Sequence, residues 1–220
     1  MTWRRRGLYA ALALLLLSPL AVPPLLAFPY RAQVAGHAIY SEAPIDPRLP
    51  TLVHLADDKV RRSPLSRSLE LTQPIFLTAG GWRWLYLANV AHGAFAFTRP
   101  LAESIVVNRS DVVRDEVSST LIAGAHRSLS GVLAHEMTHT AIRARFGLLA
   151  DWRFPAWLRE GYCDEVAGGG SLSDDEAEQL VRSGQDRPAL LYWRGRKQVE
   201  AELRANGGSV ERLFAAHGAY

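Results

Sequence analysis

Apolar positions run in short, turn-bounded blocks through the first half of this chain and at helical spacing through the second. The block Ile75-Phe76-Leu77 lies between Pro74 and Gly80, so residues 74–78 read as a strand. Further strands are expected near 37–40, at 94–98 and at 104–108, the last two separated by a turn at Arg99-Pro100. Residues 29–47 otherwise read as extended and loop-like. Leu52, Leu55 and Val60 put one helix over 49–65, and a short one is expected over 82–90. Residues 129–145 read as a long helix stopped by Gly147. A second helix over 155–166 has Pro at its start and Gly168-Gly169-Gly170 at its end. Ser173-Asp174-Asp175-Glu176 has the form of a capping box and opens a third. Helices over 189–205 and 209–216 close the chain. Strands first and helices after predict an α+β domain over 29–220: a small N-terminal β-sheet packed on helix 129–145, then an all-helical C-terminal part.

Residues 7–28 carry no charge and follow Arg4-Arg5-Arg6. A stretch of that length can span a bilayer as a helix, and a basic start before an apolar core also marks a secretory signal. Pro19, Pro23 and Pro24 strain a clean helix. A small-x-small cleavage site is missing, because Leu25 stands two residues before Ala27. The expectation is therefore a retained signal anchor over 1–28, with a cleaved signal peptide as the second choice and a loose twin-arginine match at Arg5-Arg6-Gly7 as a third. Membrane contact runs through 7–28, and the basic end stays cytoplasmic. The chain is then a single-pass inner-membrane protein whose domain faces the periplasm or the outside.

The formal charge of +3 comes from 25 basic against 22 acidic residues, and Arg4, Arg5 and Arg6 account for the excess. The remainder is balanced, so no nucleic-acid partner is expected. A lone cysteine, Cys163, excludes an internal disulfide and reads as a small buried side chain, with a role as an extra metal ligand as the alternative. His37, His54, His92 and His126 read as structural. Trp82, Trp84, Trp152, Trp157 and Trp193 read mostly as core. Asn108-Arg109-Ser110 fits a glycosylation sequon.

The chemistry concentrates in His135-Glu136-Met137-Thr138-His139. Positions i and i+4 share a helix face, so both imidazoles can reach one cation. Glu136 can take a proton from water on the open side of that cation. A catalytic zinc usually keeps three protein ligands and a water. Downstream, Trp157-Leu158-Arg159-Glu160-Gly161 supplies Glu160 as a candidate third ligand. Asp164 follows four residues later on the same helical face, where a carboxylate can accept the spare N–H of a ligating histidine.

His-Glu-x-x-His followed by Trp-Leu-x-Glu-Gly resembles the gluzincin metallopeptidases, which include the thermolysin-like and alanyl-aminopeptidase-like families. The similarity covers residues 131–166. It implies a zincin-like fold, Zn2+ as cofactor, His135, His139 and Glu160 as metal ligands, Glu136 as general base and Asp164 behind a ligand. It also implies a peptide or protein substrate and a strand beside the motif helix on which that substrate adds. Residues 104–108 are the expected edge. Gluzincins stabilise the oxyanion with a Tyr or His from elsewhere in the fold; Tyr192, His217 and Tyr162 are the candidates here. The metzincin pattern fails, since no third histidine follows His139.

The expected function is thus a zinc-dependent metallopeptidase. Two alternatives stay open: a non-catalytic zinc-binding domain that holds a partner, and a metal-dependent amidase acting on non-peptide amides. An intramembrane protease is excluded, because Arg127, Arg143 and Arg145 flank the motif helix and would be costly to bury in lipid.

Overall fold

The computed structural model describes residues 3–89, 91–99, 102–122 and 124–218. Val90 and Pro100, where a helix end and a turn were expected, lie outside them.

Helix α1 (Trp3–Ala21) precedes a 3₁₀ turn at Pro23–Leu26. The uncharged stretch 7–28 is therefore no single helix. Its helical part, residues 7–21, spans roughly 22 Å at about 1.5 Å per residue, short of the ~30 Å hydrocarbon core. Pro23 and Pro24 cannot continue α1, and Leu26 and Phe28 instead turn into the domain core. No helix among the described residues is long and apolar enough to cross a membrane. That overturns the anchor through 7–28 and the single-pass inner-membrane placement built on it.

The described residues form a mixed α+β fold with a small sheet and a helical C-terminal part. β1 (Tyr30–Val34) and β2 (His37–Ser41) make an antiparallel hairpin. Its two turn residues, Ala35 and Gly36, have φ of 51° and 87°, the backbone that a two-residue hairpin turn requires. α2 (Leu49–Arg62) crosses from β2 to the parallel strand β3 (Ile75–Leu77). After α3 (Trp82–Ala88) the chain forms β4 (Ala96–Arg99) and β5 (Ser104–Val107), and the sheet order is β1-β2-β3-β5-β4.

This order corrects the expected edge. β5 lies between β3 and β4, and β4 is the outer strand beside the motif helix. The run Ser-Ile-Val-Val is buried at every position, the mark of a strand covered on both faces. A second sheet, β6 (Arg109–Asp111), β7 (Glu116–Ser118) and β8 (His126–Ser128), leads into the long helix α4 (Leu129–Phe146). Its strands are short and polar and left no alternating apolar signal.

Side chains alternate across the main sheet. Ile39, Ile75, Leu77, Ile105 and Val107 face α2 and α4, where Val53, Ala56, Leu133 and Met137 meet them. Phe76 and Val106 point the other way, onto Phe28, Trp84 and Leu87. Beyond α4 the chain is helical: α5 (Ala150–Arg153), α6 (Ala156–Ala167), α7 (Asp174–Arg182), α8 (Pro188–Ala205) and α9 (Val210–His217). A second core of Ile142, Phe154, Leu158, Tyr162, Val199 and Phe214 joins α4, α6, α8 and α9. Trp84 is core as expected, whereas Trp82 and Trp152 are exposed. Asn108 is fully buried, with its amide on Ala94 O, so the sequon offers no accessible acceptor.

Candidate metal centre

α4 is buried along most of its length because the sheet, α2 and α6 enclose it. Its start is fixed twice. Ser128 Oγ accepts from Gly131 N–H, and the Asp115 carboxylate accepts from both Ser130 N–H and Ser130 Oγ. α6 begins at Pro155 and ends on Gly168 in left-handed geometry, with φ of 82°. α8 is drawn close to α6 by two glycines. A Cβ on Gly161 would stand 2.4 Å from the Gly195 carbonyl carbon, and one on Gly195 would stand 2.8 Å from Trp157 O.

The two motif helices bring the expected side chains together. Glu160 Oε2 lies 3.3 Å from His135 Nε2 and 3.5 Å from His139 Nε2. The other ring nitrogen of His135, Nδ1, is 2.7 Å from Asp164 Oδ1. Asp164 in turn accepts from Arg127 Nη2 at 2.8 Å, and the same nitrogen donates to Gly169 O at 3.1 Å. Glu136 is held from the sheet: Thr98 Oγ1 on β4 lies 2.8 Å from Glu136 Oε2 and 3.0 Å from its backbone oxygen. Glu160 Oε1 faces Arg159 Nη1 at 3.7 Å. Arg159 continues through Asp151 to Arg143, whose guanidinium takes Glu103 at the β4–β5 turn with two 3.0 Å bonds. A chain of alternating charges thus ties the outer hairpin to Glu160.

These contacts set the protonation states. Burial opposes a charge on His135, but hydrogen bonds with Asp164 and Glu160 outweigh it and push the imidazole up to about 10. Burial likewise opposes the Glu160 and Asp164 charges. The histidines override it for Glu160, and His135 with Arg127 for Asp164, so both carboxyls sit below their ordinary range. The proton on His135 Nε2 therefore occupies a place that a cation can take instead.

Cys163 also reaches this site. Its sulfur and the ligand nitrogens of His135 and His139 all lie within 4.8 Å of one another. Burial and the charges of Glu160, Glu136 and Asp164 push its thiol well above the ordinary range. Glu160 Oε2, at 3.3 and 3.5 Å from the two Nε2 atoms, is the other candidate third donor.

The expected oxyanion candidates separate. Tyr192 on α8 has its phenol raised by burial and by the nearby charges of Glu160 and Asp164, with Arg127 opposing, so it borders the site. His217 instead pairs with Glu202 at 2.7 Å and packs on Trp157, and Tyr162 bonds Ser63 at 2.6 Å inside the helical core. Arg127, Thr98 and Arg159 also serve the site, and nothing in their spacing along the chain marks that role. A cavity of about 450 Å³ between residues 43–49 and the β6–β7 hairpin is lined by none of these groups; chemistry and not volume identifies the site. No protein-family model matches the chain, and no curated protein or solved structure shows significant similarity to it.

Proposed function

We propose that the chain is a zinc-dependent hydrolase of peptide bonds with a zincin-like domain, in keeping with its gluzincin-like motifs. The observation that carries this reading is the spacing of Glu160 Oε2 from the two Nε2 atoms, 3.3 and 3.5 Å. Zinc bonds of about 2.0–2.2 Å in a tetrahedron give donor–donor edges of roughly 3.3–3.5 Å. His135, His139 and Glu160 would hold the ion. A zinc ion there would polarise the scissile carbonyl and lower the pKa of its water to roughly 7.

The remaining chemistry belongs to the chain. Thr98 occupies Glu136 Oε2, which leaves Oε1 to take the proton of the attacking water and deliver it to the leaving amine. Asp164 accepts from His135 Nδ1 and so points Nε2 at the cation. Of the expected donors, Tyr192 is the one whose phenol feels the charges of Glu160 and Asp164, and it would be the one to meet the oxyanion. An extended substrate would add to β4, whose outer edge pairs with no strand among the described residues.

The test is zinc content and hydrolysis of a peptide library by the full chain. About one zinc per chain is expected, lost or greatly weakened in Glu160→Ala, with hydrolysis abolished in metal-loaded Glu136→Gln. Zinc uptake unaffected by Glu160→Ala would remove Glu160 from the site. Turnover of cell-wall amides alone would move the substrate class to non-peptide amides.

A further inference from the structure

The helix that carries Glu160 brings a second, softer donor to the same cation. Glu160 and Cys163 are three residues apart on α6 and so share a face. That face meets the one on which α4 presents His135 and His139. The Cys163 sulfur and both imidazole ligand atoms fall within 4.8 Å of one another. Cys163 is fully buried, and its thiol makes no hydrogen bond among the described residues. Cys163 packs among the residues of the helical core, within reach of both imidazoles at its edge.

We propose that Cys163 is a fourth protein donor, so that the centre takes thiophilic divalent cations and its resting tetrahedron is closed by sulfur. The inference rests on the reading of His135 and His139 as metal ligands. Zinc–sulfur bonds near 2.3 Å and zinc–nitrogen bonds near 2.0–2.1 Å give a nitrogen–sulfur edge of about 3.5 Å. From a spacing of at most 4.8 Å, reaching it takes a closure of no more than about 1.3 Å. On binding, the sulfur–metal bond forms, the S–H bond breaks and its proton leaves to the buffer. With Glu160 Oε2 at 3.3 and 3.5 Å from the same imidazoles as the third donor, a sulfur bond would leave no place for water in a tetrahedron. The water used in hydrolysis then enters either as a fifth ligand or in place of the sulfur. Solvent would reach such an ion from the side of His139 and Glu160, whose side chains are 12% and 23% exposed, since Cys163 is fully buried.

The experiment loads the full chain with Co(II) and records near-ultraviolet absorption, then repeats it with Cys163→Ser and Cys163→Ala. A sulfur-to-cobalt charge-transfer band in the wild type, lost in both variants while cobalt stays bound, is the expected result. The preference for Cd(II) over Zn(II) should also fall by about tenfold or more in the variants. Acetohydroxamate, which needs an open position, should bind the Cys163→Ala centre more tightly than the wild type. Cobalt bound with no such band assigns Cys163 a packing role only and overturns the inference, leaving the three-ligand centre intact. No cobalt or zinc bound to the wild type overturns the metal reading and the inference with it. Should both variants fail to fold, X-ray absorption of the zinc-loaded wild type decides, by the presence or absence of sulfur at about 2.3 Å.

Discussion

Replacing Asp164 by Asn tests the support beneath the centre with the smallest change of shape. The Asp164 side chain is 1% exposed, and one oxygen, Oδ1, accepts from both His135 and Arg127. Space around it is fixed, since a Cβ on Gly170 would already approach Oδ2 to 2.6 Å. Asparagine keeps an acceptor for His135 but removes the charge opposite Arg127, whose side chain is 11% exposed. Breaking a buried pair in this way costs about 3–5 kcal/mol. Loss of the partner behind a ligating histidine typically weakens metal affinity by about 10–100-fold, or roughly 1.4–2.7 kcal/mol. Urea denaturation of metal-free protein reads the first effect, and zinc competition against a chromophoric chelator reads the second. Both should move in Asp164→Asn. A variant of unchanged stability whose zinc affinity stays within about threefold of the wild type would refute the reasoning that Asp164 orients His135 and neutralises Arg127.

The other predictions concern packing, the base and pH. Gly161→Ala should be severely destabilising, by more than about 4 kcal/mol, because its methyl meets the Gly195 backbone at 2.4 Å and not a yielding side chain; thermal melting checks it, and a Tm within a few degrees of wild type would contradict the close α6–α8 crossing. Thr98→Val should lower kcat of the zinc-loaded protein by about tenfold or more with little change in KM, since it frees a base that must stay aligned, and Thr98→Ser should restore it. For the metal-free protein, Glu160 and Asp164 have folded pKa values below their unfolded ones, so their contribution is present above the ordinary carboxylate range and is lost as pH falls below about 4. His135 is raised, so its contribution is complete below its unfolded value near 6.5 and is lost as pH rises through about 10. Urea midpoints across pH should therefore decline at both ends, and a flat alkaline limb would count against the His135 assignment.

The helices were the legible part of the fold. α4, α6 and the capped α7 stand where apolar spacing and the terminating Gly168 and capping Ser173 put them. β3 and β5 were visible as apolar runs, yet their places in the sheet were not. The order of strands depends on how crossovers pack, and a buried apolar run looks the same whether its neighbour lies on one side or both. The gluzincin resemblance put the edge at 104–108, whereas the outer strand beside α4 is β4. The short polar strands β6 to β8 carry no period to detect. Residues 7–28 misled for a related reason. Composition alone does not separate an apolar segment that spans lipid from one broken by Pro23 and Pro24 whose end, at Leu26 and Phe28, fills a domain core.

By itself the sequence determined the local chemistry: two histidines on one face of a helix with a carboxylate between them, and a second helix offering Glu160 and Asp164. Those relations depend only on helical spacing, which is set by backbone geometry within a few residues. The tertiary structure decided everything that joins distant segments. It set Glu160 against both imidazoles, Arg127 behind Asp164, Thr98 on Glu136, and Tyr192 and Cys163 beside the centre, while holding His217 and Tyr162 elsewhere. These contacts follow from the packing of α4 against β4 and α6 and from the Gly161–Gly195 crossing. Such packing is a property of volumes and backbone approach, which no run of neighbouring residues records.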